Sequence, residues 1–159
     1  MGDARVVGLI SDTHGLVRPG VFAAFEGVDA IYHAGDVGGS EVLAILGGIA
    51  TVQAVLGNAD ARDDPRLCLH FTETVGGLTV HVSHGHELGI PSPLRLLDRY
   101  DADVIVFGHT HRALVTRSGR RLVVNPGAAG PRRFSLVPSV ARLTIRDGEA
   151  SAEIIELSV

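Results

Sequence analysis

Apolar residues occur in short runs along the first two-thirds of the chain, and a cluster of small and polar residues follows each run. Five runs have the length and the β-branched content of strands, at residues 6–10, 30–32, 52–56, 78–82 and 104–107. Most of their positions are apolar without regular alternation. We therefore expect strands that are covered on both faces, as in parallel or mixed sheets.

Helix-like stretches lie between these runs, at residues 19–25, 40–46 and 92–100. Pro19 and Pro93 suit the first turn of a helix, and Ser40 has the character of an N-cap residue. The alternation of strand-like and helix-like stretches predicts an α/β fold.

The last third of the chain predicts two β-hairpins. The first has arms at residues 114–116 and 122–124, and the second has arms at 140–145 and 151–157 around Asp147-Gly148. Antiparallel hairpins after an α/β region favour a sandwich of two sheets flanked by helices. No repeat or linker interrupts the pattern, so we expect a single domain over residues 1–159.

Composition narrows the classes of function. The chain has 159 residues, of which 45% are hydrophobic and only 4% aromatic, so we expect a mostly aliphatic core. The net charge of -4 is mild, and all 14 basic residues are arginine. No basic run indicates nucleic-acid binding, although arginine also suits phosphate recognition.

The chain carries no feature that predicts export or membrane insertion. Cys68 is the only cysteine, which excludes an internal disulfide and fits a reducing compartment, and we expect it to be buried. No signal peptide is evident, and no apolar run approaches the roughly 20 residues that span a bilayer. We therefore expect a soluble cytoplasmic protein.

The polar clusters after the strands carry the candidate chemistry. They read Ser11-Asp12-Thr13-His14-Gly15, His33-Ala34-Gly35-Asp36, Gly57-Asn58-Ala59-Asp60, Ser83-His84-Gly85-His86 and Gly108-His109-Thr110-His111. Open α/β sheets bind ligands at the carboxyl ends of their strands, so these clusters should meet at one edge. Carboxylate, amide and imidazole ligands without thiolate favour Mn, Fe or Zn over Ca or Mg alone.

The number of candidate ligands predicts two metal ions. Seven side chains are candidates: Asp12, His14, Asp36, Asn58, His84, His109 and His111. A single cation that must also bind water does not need so many ligands. Two cations about 3.5–4 Å apart, sharing a carboxylate, fit the number better, and a hydroxide between them would be the nucleophile.

The order of these blocks resembles that of the calcineurin-like metallophosphoesterases: Asp-x-His, Gly-Asp, Gly-Asn, a His-Gly element and Gly-His-x-His. The short chain, and the Val124-Asn125-Pro126-Gly127 segment after the last block, resemble the small YfcE/MJ0936-type phosphodiesterase branch, which includes the retromer subunit Vps29. The resemblance covers roughly residues 5–131. It implies a four-layer αββα sandwich of two mixed β-sheets flanked by helices.

The resemblance also implies how the ligands divide between the metals. Asp12, His14, Asp36 and His111 would bind the first metal, and Asp36, Asn58, His84 and His109 would bind the second. Asp36 would bridge, and Asp36, Asn58, His84 and His109 would form the catalytic set. The resemblance implies Mn²⁺ as the most frequent metal, with Ni²⁺, Fe or Zn²⁺ as alternatives. It also implies a homodimer or a homotetramer as the assembly.

One departure from the family pattern affects proton donation to the leaving group. Many members have histidine after the Gly-Asn pair, where this chain has Ala59, whose methyl group donates no proton. His86 is a candidate substitute. Asp60 could contact substrate or order the Asn58 loop, and Arg132 and Arg133 could contact phosphate or form a solvated pair.

Structural alternatives exist for several candidates. Asp12 and Asp36 could cap helices, and Asn58 could be a turn residue only. His84 and His86 compete for the fourth-block ligand, and the family position favours His84. His33 and His81 lie within strand-like runs and are expected to be packed, hydrogen-bonded histidines.

Three functions compete at this level. The first is a phosphodiesterase acting on a small phosphate ester, and the second is a phosphomonoesterase acting on nucleotides or small metabolites. The third is a Vps29-like protein-binding scaffold with poor catalysis. The complete ligand set favours the enzymes, and Ala59 is the feature that leans towards the scaffold.

Overall fold

Two mixed β-sheets pack face to face in the computed structural model, which describes residues 3–133 and 135–158. The first sheet has six strands in the order β11-β10-β1-β2-β3-β4. Their bounds are β1 Arg5–Ile10, β2 Ala30–His33, β3 Thr51–Val55, β4 Leu67–Cys68, β10 Ser139–Arg146 and β11 Glu149–Glu156. Strands β1 to β4 run parallel to one another, β10 pairs antiparallel with β1, and β11 pairs antiparallel with β10.

The second sheet has five strands in the order β5-β6-β7-β9-β8. Their bounds are β5 His70–Val75, β6 Leu78–Ser83, β7 Val104–Val106, β8 Leu114–Ser118 and β9 Arg121–Asn125. Strands β6, β7 and β9 are parallel, and β5 and β8 are antiparallel edge strands.

Helices cover both outer faces, so the sandwich has four layers. Helices α1 (Gly20–Ala24) and α2 (Ser40–Gly47) pack on the first sheet, where Val21 and Leu46 share a core with Ile31. Helix α3 (Pro93–Arg99) covers the second sheet, where Leu96 packs with Ile105. A third, mostly aliphatic core fills the space between the sheets, as the composition predicts. The αββα fold is confirmed.

Most predicted elements are present, and the differences lie at their edges. The structure adds β4, β5 and a 3₁₀ helix (His86–Leu88) that the sequence pattern did not predict. Pro93 occupies the first turn of α3, and the side chain of Ser92 caps that helix. Pro19 instead occupies the N-cap position, and the expected capping by Ser40 is wrong because Gly39 is the N-cap residue of α2.

The expectation that Cys68 is buried is also wrong. Cys68 is exposed because it lies on β4, a two-residue strand at the edge of the first sheet. Within the described residues, no helix combines the length and the apolar character that a membrane crossing needs.

The parallel strands place all five polar clusters at one edge of the sandwich. Strands β1, β2 and β3 are neighbours in one sheet, and β6 and β7 are neighbours in the other. Because each cluster directly follows one of these strands, the clusters meet where the carboxyl ends of both sheets converge.

Candidate metal centre

The structure brings the seven predicted ligands together. Backbone hydrogen bonds tie their loops to one another: Asp12 N–H donates to the Gly35 carbonyl at 2.9 Å, and Gly108 N–H donates to the His84 carbonyl at 3.0 Å. Asp12, Asp36 and His84 are buried, His14, His109 and His111 are half-buried, and Asn58 is exposed. The cluster therefore opens to solvent on the Asn58 side.

Each carboxylate has one oxygen held by the protein frame and one turned towards the histidines. Oδ2 of Asp12 accepts hydrogen bonds from the Ser11 hydroxyl at 2.6 Å and from the His109 N–H at 3.2 Å. Oδ1 of Asp36 accepts from the Ala59 N–H at 2.8 Å. Oδ1 of Asp12 is buried and has no hydrogen-bond donor among the described residues. That orphaned oxygen is available to a cation.

The protonation of His84 follows from its neighbours. Nδ1 lies 2.7 Å from the Ala34 carbonyl oxygen, which only accepts, so Nδ1 carries the hydrogen. In a neutral ring Nε2 then presents a lone pair. That lone pair faces Asn58 Oδ1 at 3.0 Å, Asp36 Oδ2 at 3.4 Å and Asp12 Oδ1 at 3.9 Å. Electron pairs that converge in this way require a proton or a metal ion between them.

The remaining histidines complete two overlapping groups. Nε2 of His14 is buried without a hydrogen-bond partner, 3.7 Å from Asp36 Oδ2 and 4.0 Å from Asp12 Oδ1. Nε2 of His111 lies 3.3 Å from Asp12 Oδ1. Within the described chain, Asp12, His14 and His111 form one compact group of possible ligands, and Asp12, Asp36 and His84 form another.

Asn58 and His109 extend the second group. Nδ1 of His109 lies 3.1 Å from Oδ1 of Asn58, the same oxygen that faces His84. An asparagine carbonyl shared by two imidazole nitrogens is more than a turn residue. The donor set is therefore hard oxygens mixed with imidazoles, which fits divalent transition metals.

Electrostatics keep both carboxylates ionised. Burial raises the pKa of Asp12, but His111, His84 and the Ser11 hydroxyl outweigh it, so the pKa lies below its ordinary value. Burial likewise raises the pKa of Asp36, but the His84 side chain, the Ala59 N–H and His14 bring it down to about 2. Both groups are anionic at neutral pH, as metal ligands must be.

Burial and the neighbouring charged groups also shift the pKa values of His84 and His109. Burial lowers the pKa of His84, but Asp36 and Asp12 outweigh burial, and the pKa is raised above its ordinary value. The proton that this shift favours occupies the place where a cation would lie. Burial, followed by the charge of His84, lowers the pKa of His109.

Five of the seven predicted ligands have left-handed backbone conformations: Asp12 (φ 53°), His14 (φ 45°), Asp36 (φ 56°), His109 (φ 71°) and His111 (φ 64°). Such conformations cost a residue other than glycine about 1 kcal/mol or more each, and they concentrate at functional sites. The sequence pattern did not predict this feature. It indicates that the fold holds these side chains against local backbone preference.

Glycines beside the ligands permit close approach of the chain. A β-carbon at position 57 would overlap the carboxylate and the backbone nitrogen of Asp36, and one at position 108 would overlap Ser11 and Asp12. The close packing at these positions therefore leaves room only for glycine.

Asp60 orders the loops around Asp36. Oδ2 of Asp60 accepts hydrogen bonds from the N–H groups of Gly57 at 2.9 Å and Val37 at 3.2 Å. Oδ1 accepts from the Gly38 N–H at 3.2 Å. Because both oxygens are engaged, the arrangement supports the loop-ordering role and gives no support to the predicted substrate contact.

His33 is a packed structural histidine, as expected. The Thr13 hydroxyl donates to the Val37 carbonyl at 2.7 Å, so it must accept from His33 Nε2, 2.9 Å away. Nδ1 of His33 accepts from the Gly35 N–H at 3.1 Å. The ring is neutral, and burial lowers its pKa to about 4. It joins the loops that carry Asp12 and Asp36.

Asn125 supports the last ligand block through its side chain. Its side-chain amide donates to the Gly108 carbonyl at 3.2 Å and to the Thr110 hydroxyl at 3.0 Å. Its carbonyl accepts from the Gly127 N–H at 2.9 Å. Asn125 therefore fixes both sides of the loop that carries His109.

The other residues that the sequence predicts to contact substrate lie outside the ligand cluster. The His86 ring is 5.4 Å from that of His84 and 6.3 Å from that of His109, and its buried Nδ1 has no partner in the described part of the chain. Arg132 and Arg133 are exposed and line a small closed crevice with His111. Ala59 is exposed, with its N–H bonded to Asp36.

Comparisons with known proteins show the family and the fold to which the chain is similar. Residues 6–148 match the calcineurin-like phosphoesterase superfamily domain. A probable metallophosphoesterase of Methanocaldococcus jannaschii is 35% identical in an alignment that covers 92% of this chain and 79% of the relative. A solved structure of Vps29 from Cryptosporidium parvum is 23% identical and has a TM-score of 0.78, with coverage of 99% of this chain and 100% of that one.

A solved structure described as a novel archaeal phosphodiesterase shares the fold as well. It is 21% identical, has a TM-score of 0.72, and covers 94% of this chain and 99% of its own. The fold fits the small branch that includes Vps29, and the family implies divalent metals. The chain therefore belongs to the calcineurin-like phosphoesterase superfamily.

Proposed function

We propose that the protein is a phosphoric ester hydrolase that uses two divalent metal ions, with Mn²⁺ as the favoured metal. The observation that carries the proposal is the convergence of atoms that can bind a metal. Nε2 of His84 lies 3.0 Å from Oδ1 of Asn58 and 3.4 Å from Oδ2 of Asp36. Oδ1 of Asp12 and Nε2 of His14 are buried and have no hydrogen-bond partner among the described residues. A pair of cations would satisfy all of these atoms.

Two sets of residues would hold the ions. Asp12, His14, Asp36 and His111 would hold the first, and Asp36, Asn58, His84 and His109 would hold the second. Oδ2 of Asp36 lies 3.7 Å from Nε2 of His14 and 3.4 Å from Nε2 of His84, so it is placed to serve both sets. Oδ1 of Asp12 lies somewhat farther from the same two nitrogens, at 4.0 Å and 3.9 Å, and we assign the shared position to Asp36 as the nearer carboxylate.

When bound, two metal ions supply positive charge for the phosphoryl oxygens and lower the pKa of a water that acts as nucleophile. The protein residues hold this arrangement in place. Asp12 and Asp36 remain anionic, the Ala34 carbonyl orients His84, and Asn125 and Asp60 fix the loops. Ligands that are fixed in advance reduce the reorganisation needed during the reaction.

Position 59 offers no proton donor to the leaving oxygen of the substrate. The Ala59 methyl group is inert, and its N–H is already used by Asp36. We assign the role of hydrogen-bond donor to the leaving oxygen to His86, because its ring lies 5.4 Å from that of His84 and 6.3 Å from that of His109. Esters with good leaving groups should depend least on this contact.

A phosphodiester is the favoured substrate class. A solved structure of the same fold is described as an archaeal phosphodiesterase, which supports diesters over monoesters. The test is hydrolysis of bis(p-nitrophenyl) phosphate and of p-nitrophenyl phosphate by metal-depleted protein supplied with Mn²⁺. We expect faster hydrolysis of the diester. Faster hydrolysis of the monoester would instead favour a phosphomonoesterase.

The variant Asp36→Asn tests the role of the metals in the same assay. It keeps the size of the side chain and removes the charge that two cations would share. We expect at least about a hundredfold loss of activity, since even residues behind the ligands typically contribute 10–100-fold. Asp98→Asn, at an exposed position on α3, is the matched control and should keep wild-type activity.

A protein-binding scaffold is the competing function, because solved Vps29 structures share this fold. A scaffold with an eroded site would not hydrolyse phosphate esters. Wild-type protein that hydrolyses neither ester with Mn²⁺, Ni²⁺, Fe²⁺ or Zn²⁺ would favour the scaffold over the enzyme.

A further inference from the structure

The segment after β9 is fastened to the end of β1. The N–H of Ala129 donates to the Ser11 carbonyl at 2.9 Å, and the N–H of Gly130 donates to the Asp12 carbonyl at 3.3 Å. Nε of Arg18 donates to the Gly130 carbonyl at 3.0 Å. The chain that leaves Gly130 therefore starts beside the proposed ligands of the first metal.

Two arginines follow directly on this segment. Arg132 and Arg133, which we name the arginine rim, line a small closed crevice together with His111. Nε2 of His111 lies 3.3 Å from Oδ1 of Asp12, so the residues of this crevice adjoin the metal centre. Both arginines are exposed at the surface beside it.

The rim arginines differ from many others in the structure. Arg66 pairs with a carboxylate, and Arg121 and Arg142 donate to backbone carbonyls. Among residues 3–133 and 135–158, no carboxylate lies within 4.0 Å of the rim guanidinium groups. Their positive charge is therefore uncompensated at close range. Guanidinium groups suit phosphate because their paired N–H donors match two phosphate oxygens.

We propose that the arginine rim binds a second phosphate group of the substrate, so that the preferred esters carry two phosphates. The inference rests on the proposed hydrolase function, because it assumes that the reacting phosphate lies at the metal centre. The rim then holds the next phosphate along the molecule. It selects substrates by charge and position, separately from the reaction itself.

Equilibrium binding measures the contribution of the arginine rim to affinity, independently of the rate of hydrolysis. The ligands are thymidine 5′-monophosphate and thymidine 3′,5′-bisphosphate, titrated calorimetrically into protein supplied with Mn²⁺. We expect wild type to bind the bisphosphate at least about tenfold more tightly, and Arg132→Ala/Arg133→Ala to reduce this ratio to within about twofold. A double lysine variant should keep part of the ratio, because it keeps charge without the planar donors.

The control removes two charges from the opposite end of the molecule. Arg120 and Arg146 line a cavity of about 650 Å³ between the β8–β9 and β10–β11 turns, far from the ligand edge. Arg120→Ala/Arg146→Ala should keep the wild-type ratio. An unchanged ratio in the rim variant would overturn the proposal, and so would an equal loss in the control.

Failure of the proposed function is distinguishable from failure of the rim. Wild type that does not hydrolyse bis(p-nitrophenyl) phosphate in any metal contradicts the hydrolase, whereas the binding ratio tests the rim directly. Thermal melting of each variant shows whether it folds. If the alanine variant unfolds, the Arg132→Gln/Arg133→Gln variant tests the same ratio, and its retention of the bisphosphate preference would overturn the proposal.

Discussion

Nε2 of His84 lies 3.4 Å from Oδ2 of Asp36, with the hydrogen of the same ring already directed at a backbone carbonyl. The two atoms therefore face each other as lone pairs whenever the ring is neutral. In the metal-free protein a proton resolves this conflict, which is why the pKa of His84 is raised by Asp36 and Asp12 despite burial. In the functional protein, the proposed metal ion takes the place of that proton.

Gly57→Ala should weaken metal binding. The added methyl group would overlap the carboxylate and the backbone nitrogen of Asp36, so one of the two loops must move. We expect at least about a tenfold loss of metal affinity, measured by calorimetric titration of metal-free protein, since small displacements around ligands have effects of this size.

Gly47→Ala provides the control for this change. A β-carbon at Gly47 meets no heavy atom within 4 Å, and the residue lies at the end of helix α2. It should bind metal as wild type does and gain up to about 1 kcal/mol of stability. Equal metal affinity in Gly57→Ala and Gly47→Ala would contradict the close-approach argument.

Asp60→Asn should loosen the loops without removing a ligand. Only the amide oxygen can accept the hydrogen bonds from Gly57, Val37 or Gly38, and in either orientation the NH₂ group faces at least one N–H donor. We expect metal affinity to fall roughly 10–100-fold, with the fully loaded enzyme retaining most of its kcat. Asp63→Asn, at an exposed position in the same loop, should change neither quantity.

His86→Ala should discriminate between leaving groups. If His86 donates a hydrogen bond to the leaving oxygen, its loss matters more when that oxygen is strongly basic. We expect kcat to fall about 100-fold for an alkyl phosphodiester and less than about tenfold for bis(p-nitrophenyl) phosphate. A loss of the same factor for both substrates would assign His86 a purely structural role.

The free energy of unfolding of the metal-free protein should change with pH partly because of His33. Its pKa in the folded state, about 4, is below the ordinary value of 6.5 because the ring is buried. The stability that it contributes is fully present above pH 6.5, and it is lost as pH falls through 4. The loss is at most roughly 3 kcal/mol, from the difference between the two pKa values.

His33→Gln isolates this contribution, because glutamine does not titrate in this range. Urea unfolding of the metal-free protein at pH 7.5 and pH 4.5 should show a smaller difference for the variant than for wild type. His81, whose pKa is also lowered to about 4 by burial and by the charge of His70, contributes a slope of the same sign in both proteins. Identical differences for the two proteins would show that His33 is not the group responsible.

The sequence was most informative where chemistry and strand pattern coincide. Asp12, Asp36 and His84 each follow an apolar run, so their convergence could be predicted from strand direction alone. Strand β5 (His70–Val75) was missed because it alternates exposed and half-buried positions at a sheet edge and contains few apolar residues. Strand β4 was missed because two residues carry no periodic signal.

The supporting contacts were harder to predict because they join residues distant in the chain. Asp60 bonds to Val37, and Asn125 bonds to Gly108, across loops whose relative position depends on the whole fold. The left-handed conformations of Asp12 and His109 likewise oppose local preference and arise from these long-range constraints. No local pattern in the sequence reports either feature.

The most direct test of the proposed centre is the number of metal ions bound per chain. Metal-free wild-type protein should be titrated with Mn²⁺, and the bound metal should be counted by elemental analysis after removal of the free ion. We expect two ions per chain for wild type and a loss of at least one for Asp36→Asn. Wild-type protein that remains folded and retains no ion, or an Asp36→Asn variant that retains two, would contradict the shared-carboxylate site.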